Sequence, residues 1–197
     1  MRKTPLIIVA FAAFFACHLF GAQMKLDISW SLDPKAGIYT NNQTKISFPK
    51  TIASFTQQRA TPANEDGSAS FAYSNKQGII TIYLTHRLIL GLPGSDDCTA
   101  KFREVFVGSM REAHGKTDSE SMFKFSHDHD GKKLAGLGMT AHFVSSPALG
   151  GPVYSEFGAV LVGDFIYYYR ATFPKKDGLK DLAAFLTAIG FKKEPIQ

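Results

Sequence analysis

Cysteine is scarce in this sequence: Cys17 and Cys98 are the only two among 197 residues. Cys17 lies in an N-terminal segment expected to be removed. That leaves Cys98 alone and excludes an internal disulfide, so the core must hold the mature domain together. Tryptophan occurs once, whereas seventeen Phe and seven Tyr predict an aromatic-rich core. Dense basic runs are missing; Lys175-Lys176 and Lys192-Lys193 are only pairs. The formal charge of +5 falls to +3 once Arg2 and Lys3 leave, because no acidic residue leaves with them. A charge this small on a domain of this size gives no reason to expect a nucleic-acid partner. After residue 22 no apolar run approaches the ~20 residues of a helical membrane span, so the mature chain is expected to carry no stable transmembrane segment. Internal repeats and low-complexity tracts are missing too, which predicts a single domain.

What is present at the N-terminus is a targeting pattern. Arg2 and Lys3 precede an unbroken apolar run over residues 6–16. The run has the length of a secretory signal core and is too short for a span. Cleavage is expected near Ala22, giving a periplasmic or secreted protein. The alternatives are an uncleaved N-terminal anchor and a lipid anchor at Cys17, which follows the small residue Ala16. Phe14 stands where such a signal usually has Leu.

The remaining chain, 45% hydrophobic and 20% charged overall, has the composition of an ordered globular protein. Residues 23–44 read as a short strand (Leu26, Ile28, Trp30) and a polar linker over 31–44, and 45–197 as one α+β domain. Short strands are expected at 45–48 and 52–58, and a polar loop at 59–68. Residues 69–73 and 79–85 read as an antiparallel pair. A helix is expected from Ser95, with Cys98, Phe102, Val105, Phe106, Met110 and Ala113 as its apolar stripe and Gly115 as its stop. Asp130-Gly131 joins strands at 121–129 and 132–144, and Gly163-Asp164 joins 153–162 to 165–173. A last helix spans 176–189 and ends in a Schellman turn at Gly190, with Phe191 packing back on Leu186. The final hairpin is apolar on both faces, so both must be covered or one must bind something.

This order of elements resembles the PsbP-like fold, an antiparallel sheet sandwiched by helices. The resemblance runs from about Lys45 to Phe191. It rests on Ile46-Ser47-Phe48-Pro49 and on the closing run from Asp164 through Phe165-Ile166-Tyr167-Tyr168-Tyr169-Arg170 to Thr172. It implies an α+β sandwich and an accessory or binding role, and it carries over no functional residue.

The most suggestive chemistry is Ser126-His127-Asp128-His129-Asp130-Gly131. His127 and His129 point to one side of a strand and suit a zinc, copper or nickel ion. The expected hairpin register places no third donor opposite them, so a polar hairpin tip is the competing reading. A calcium loop is excluded, because Leu137 occupies the position that requires Glu. Cys98 reads as a buried thiol beside Asp96 and Asp97, which disfavour a thiolate. Gly136-Leu137-Gly138 reads as a strand bulge and Gly150-Gly151-Pro152 as a loop, neither in a phosphate-loop setting. Tyr168 and Arg170 share a face and are the expected contacts if that surface binds a ligand. No cofactor is expected. Three functions follow: an exported accessory or binding protein that is not catalytic, a metal-dependent enzyme using His127 and His129, and an inhibitor or immunity-like protein acting on an envelope partner.

Overall fold

The structure, a computed structural model, describes residues 30–63, 68–92, 97–114, 117–146 and 151–194. The chain opens with β1 (Trp30–Asp33), β2 (Ile38–Asn41) and β3 (Ser47–Phe48), which form a small antiparallel sheet. Then follow β4 (Thr51–Ile52), β5 (Phe55–Pro62), β6 (Ala69–Ser74), β7 (Ile79–His86) and helix α1 (Asp97–His114). Next come β8 (Thr117–His129), β9 (Lys132–Ser146), β10 (Gly151–Val162) and β11 (Phe165–Phe173), and the chain closes with α2 (Gly178–Ala188) and β12 (Phe191–Lys193). Nine strands make one antiparallel sheet in the order β12-β8-β9-β10-β11-β7-β6-β5-β4. Strands dominate, so the α+β expectation holds only in part: the described residues form a mostly β architecture, an antiparallel sheet that carries two helices.

The hairpin turns follow from their central residues. Asp130 and Gly131 both have positive φ, +48° and +72°, as a type I′ turn requires. Gly163 alone is positive in its pair, φ +59°, which suits a type II′ turn. The expected registers are found: His127 faces Leu134, and Val160 faces Tyr167.

β11 explains the two apolar faces. Phe165, Tyr167, Tyr169, Ala171 and Phe173 enter a core cluster with Leu182, Phe185 and Leu186 of α2. Ile166 and Tyr168, between them, face Cys98, Phe102 and Phe106 of α1. Period-2 alternation thus sends successive aromatics to helices on opposite faces. Phe185 packs edge-on against Phe55 at 5.4 Å and Tyr73 at 5.3 Å. Each fully buried side chain of this size contributes roughly 2–3 kcal/mol.

Several expectations need correction. The linker expected over 31–44 contains the β1–β2 hairpin, paired from Trp30↔Asn41 to Asp33↔Ile38. β5 continues to Pro62 through the expected loop, because pairing with β6 overrides its polar composition. Val105 is 52% exposed, since the contact stripe of α1 is the narrower series Cys98, Phe102, Phe106. Gly136 and Gly138 form no bulge, and β9 runs through them in unbroken register with β8 and β10. They make room for rings instead: a Cβ on Gly136 would sit 2.4 Å from Phe125, and one on Gly138 2.3 Å from Phe123. α2 keeps part of the Schellman ending, with Gly190 left-handed just past the C-cap Ile189 and its N–H donating to Thr187 O, while Ile189 N–H donates to Leu186 O in an i→i+3 bond. Phe191 joins the core cluster of Leu186, but as the first residue of β12, an unexpected edge strand. The strand positions Leu26 and Ile28, the caps Ser95 and Asp96, and Gly115 lie outside the described residues.

Candidate functional site

The sheet face that carries α2 ends in a groove of about 520 Å³ at the tip of the β8–β9 hairpin. Period 2 along β8 puts Phe125, His127 and His129 on this face. β12 covers the outer edge of β8 with Phe191 opposite His127. It reaches that edge because Gly190 takes φ +84° and turns the chain out of α2, and Asp128 N–H then donates to Gly190 O at 3.2 Å. Gly190 has a second reason to lack a side chain, since a Cβ there would stand 3.2 Å from the His127 ring.

The other wall comes from residues 45–53. Asn41 starts the reversal that delivers it: its buried side-chain oxygen accepts from Thr44 N–H at 2.8 Å and Gln43 N–H at 3.1 Å, and Lys45 follows at φ +59°. Ile46, Ser47, Pro49, Thr51, Ile52 and Ala53 then line the groove. Ala188, Ile189 and Gly190, at the C-terminal end of α2, close the third side. No basic residue occupies the last turn of α2, so its carbonyl end is not neutralised by a side chain of its own.

His127 is the unusual member. It is 4% exposed and packs on Phe191 at 4.8 Å, Tyr167 at 5.3 Å and His129 at 5.8 Å between ring centres. Neither of its ring nitrogens is in a well-formed hydrogen bond, although the Gly190 backbone stands close enough to the ring to act as a weak acceptor. Trp30 Nε1 and Asn41 Nδ2 share that condition, but His127 alone of these residues lines the groove. Burial, helped by the charge of His129, pushes the His127 imidazole down to about 4, while the Gly190 backbone and Asp128 work against this. The ring is therefore neutral at pH 7, with one nitrogen a donor and the other an acceptor.

The expected histidine pair is thus brought together, with rings 18° from parallel. Asp128 is tied to Lys192 at 2.7 Å, and that ion pair holds its carboxyl below the usual range. Among the described residues, no group of three or more His, Cys, Asp or Glu converges to hold a metal ion. A two-histidine arrangement falls short of the three protein ligands of a typical catalytic zinc.

Tyr168 and Arg170 lie on the opposite face of the sheet, away from the groove. Tyr168 stacks on Tyr83 at 4.6 Å and meets Phe102 of α1 at 4.7 Å. Burial lowers the Arg170 guanidinium, with Tyr83 acting the other way. Cys98 is buried on the sheet-facing side of α1, and burial raises its thiol, with Arg87 opposing. The walls at 45–53 and 188–190 escape sequence reasoning. Gly190 is the one local sign of them, because the contacts that create the groove join segments far apart in sequence.

No protein-family model matches the sequence, and no curated protein matches it either. Among solved structures the chain is similar to the solution structure of cyanobacterial PsbP (CyanoP) from Synechocystis sp. PCC 6803. The identity is 9%, covering 91% of this chain and 98% of that one, with a TM-score of 0.45. That protein bears the name of the family whose layout the sequence resembles. Among the described residues, no helix is long and apolar enough to cross a membrane.

Proposed function

We propose that this chain is an exported accessory or binding protein of the cell envelope that holds a small ligand in the groove beside His127. In this reading the layout is a PsbP-like sandwich with a helix on each face. The leader is removed near Ala22 or exchanged for a lipid on Cys17, and the domain works in the periplasm or outside the cell. The observation that carries the binding reading is the His127 imidazole, nine-tenths buried at the groove wall with neither nitrogen in a well-formed hydrogen bond. Buried polar groups are normally satisfied, and one that is not marks a place where a partner is missing. Apolar walls with a few convergent polar groups are the usual make-up of a ligand site. The ligand would be partly apolar and carry one hydrogen-bonding group.

The histidine pair also favours a rival, a metal-dependent enzyme, since parallel imidazoles on one strand face can share an ion. One experiment separates the two. The protein is purified from its host's envelope under native conditions and examined by native mass spectrometry and metal analysis. The parent should retain an organic ligand that Ala188→Trp, an exposed position on the groove, no longer holds. Stoichiometric zinc or copper in the parent, lost in His127→Ala/His129→Ala, would overturn the binding reading in favour of the enzyme. Retention of the same ligand by Ala188→Trp would remove the groove from it.

A further inference from the structure

Where the end of α2 meets β8, the groove collects hydrogen-bond acceptors. The first is on His127, which lines the groove and is 4% exposed. Its Nδ1 is the ring nitrogen on the Gly190 side, 3.2 Å from where a Cβ on Gly190 would stand. The Gly190 backbone acts as a weak acceptor toward the ring, and a carbonyl cannot donate. A neutral imidazole carries one proton, and this neighbour draws it to Nδ1. Nε2 therefore keeps its lone pair, and it has no partner among the described residues.

The second and third acceptors belong to the end of α2. Ile189 N–H and Gly190 N–H close the helix on Leu186 O and Thr187 O, each at 3.1 Å, and Gly190 O takes Asp128 N–H at 3.2 Å. Among the described residues, no closing amide is donated to Ala188 O or Ile189 O. Both residues line the groove. They stand at the negative end of the helix dipole, which has no basic residue in its last turn. None of the lining residues is Lys or Arg, and Asp128, the one acidic residue there, is already paired with Lys192 at 2.7 Å.

We infer that the ligand of this groove is a small organic amine, bound as its ammonium ion with its hydrocarbon part against Ile46, Pro49 and Ile52 of the facing wall. This rests on the reading of the groove as a ligand site and names the class of ligand. An ammonium has three donors and no acceptor, which matches three unmet acceptors. Its charge is favoured at a helix C-terminus, and a charge-assisted hydrogen bond is roughly twice as strong as a neutral one. A carboxylate or a phosphate ester would bring acceptors to acceptors and find no cationic side chain in the lining. An alcohol would donate to one acceptor and leave the other two unmet.

The test uses the chain exported and processed by its host, labelled with nitrogen-15 and dialysed free of small molecules. It is titrated at constant ionic strength with n-hexylammonium chloride, n-hexanol or sodium hexanoate, and the backbone amide NMR shifts of Asp128, Ile189 and Gly190 are followed. Hexylammonium should shift these amides saturably at a concentration roughly tenfold lower than hexanol, with hexanoate weaker still. Ala188→Trp should abolish the shifts. Thr187→Lys, exposed and outside the lining, puts a cation in the last turn of α2. That change favours the helix, so weaker binding there cannot come from misfolding. It should raise the hexylammonium midpoint roughly two- to fivefold and leave that of hexanol unchanged. Equal or tighter binding of hexanol or hexanoate, lost in Ala188→Trp, would overturn the amine and leave the groove as a ligand site. An unchanged hexylammonium midpoint in Thr187→Lys would overturn the amine as well. Absence of saturable shifts with all three probes, or shifts that survive Ala188→Trp, would overturn the groove reading together with the inference.

Discussion

Protonating His127 should destabilise the protein across a defined pH window. The folded-state imidazole sits at about 4, against about 6.5 for an unperturbed histidine. A depressed native value means that the unfolded chain binds the proton more tightly. Stability is then full above about pH 6.5, falls as pH is lowered through the window, and levels off below about pH 4. The gap corresponds to roughly 3 kcal/mol at 1.36 kcal/mol per unit. More than half of it should already be lost by pH 5. The perturbation is His127→Leu, which keeps the volume roughly constant and removes both ring nitrogens. Urea unfolding of parent and variant should be followed from pH 7.5 to pH 4. His129, beside the ring, and Asp128, behind it on the strand, remain in both proteins, as do His86 and His142, so the difference between the curves isolates residue 127. The variant should gain on the parent steadily as pH falls from 6.5 to 4. Parallel curves would refute the argument, because they would mean that the ring is solvated or bonded in the folded state.

Three further outcomes are expected. Lys193→Ala should cost roughly 2 kcal/mol in chemical denaturation, because Lys193 Nζ lies 2.7 Å from the Glu156 carboxylate, which is 1% exposed and would keep only Thr140 and Tyr169 as partners; adding Glu156→Gln should recover part of that loss. Gly138→Ala should cost about 2 kcal/mol or more in thermal or urea unfolding, since its Cβ would stand 2.3 Å from the Phe123 ring and 2.6 Å from Phe157 O. Cys98 should react slowly with a thiol reagent in the native protein and quickly once denatured, because it is fully buried and its thiol is raised by that burial; equal rates would contradict the packing of α1.

Legibility in the sequence tracked the range of the interactions. The β8–β9 and β10–β11 hairpins were readable with their registers, because Asp130-Gly131 and Gly163-Asp164 fix turn geometry locally and alternation fixes the faces. The β1–β2 hairpin was not, since Ser31–Asn42 is polar and Trp30 gains its place only by packing on Phe48 and Phe71. β5 was half readable: the strand expected over 52–58 covers its start at Phe55, Thr56, Gln57 and Gln58, but Arg59, Ala60, Thr61 and Pro62 are strand only because β6 lies beside them. Gly136 and Gly138 signal something special, but the bulge their sequence suggests is not the reason. A bulge is a backbone event, whereas the actual reason is the Phe125 and Phe123 rings from the neighbouring strand. β12 was invisible because three residues, Phe191–Lys193, carry no period of their own. In the groove, the shared face of His127 and His129 was readable from spacing two; the burial of one and the partial exposure of the other were not, since both depend on α2 and β12.

That burial is the strongest argument that the groove has a purpose. Along one face β8 presents Phe123, Phe125, His127 and His129 in succession. Phe125 meets Phe191 at 5.0 Å and Tyr169 at 6.4 Å, so an aromatic ring at this face is well accommodated. Residue 127 meets Phe191 and Tyr167 in the same way. By packing alone it calls for another hydrocarbon side chain. An imidazole with neither nitrogen in a well-formed hydrogen bond costs instead roughly 1–3 kcal/mol relative to a satisfied or apolar residue. A position where a local choice works against the fold it sits in is more often a functional position than a structural one. Trp30 and Asn41 also leave a buried donor unmet, but Asn41 earns its site through the turn that its oxygen organises, and Trp30 through the rings it covers. His127 also packs on rings, but there a hydrocarbon side chain would serve as well. The pH experiment and the ligand experiment therefore interrogate the same ring from its two sides.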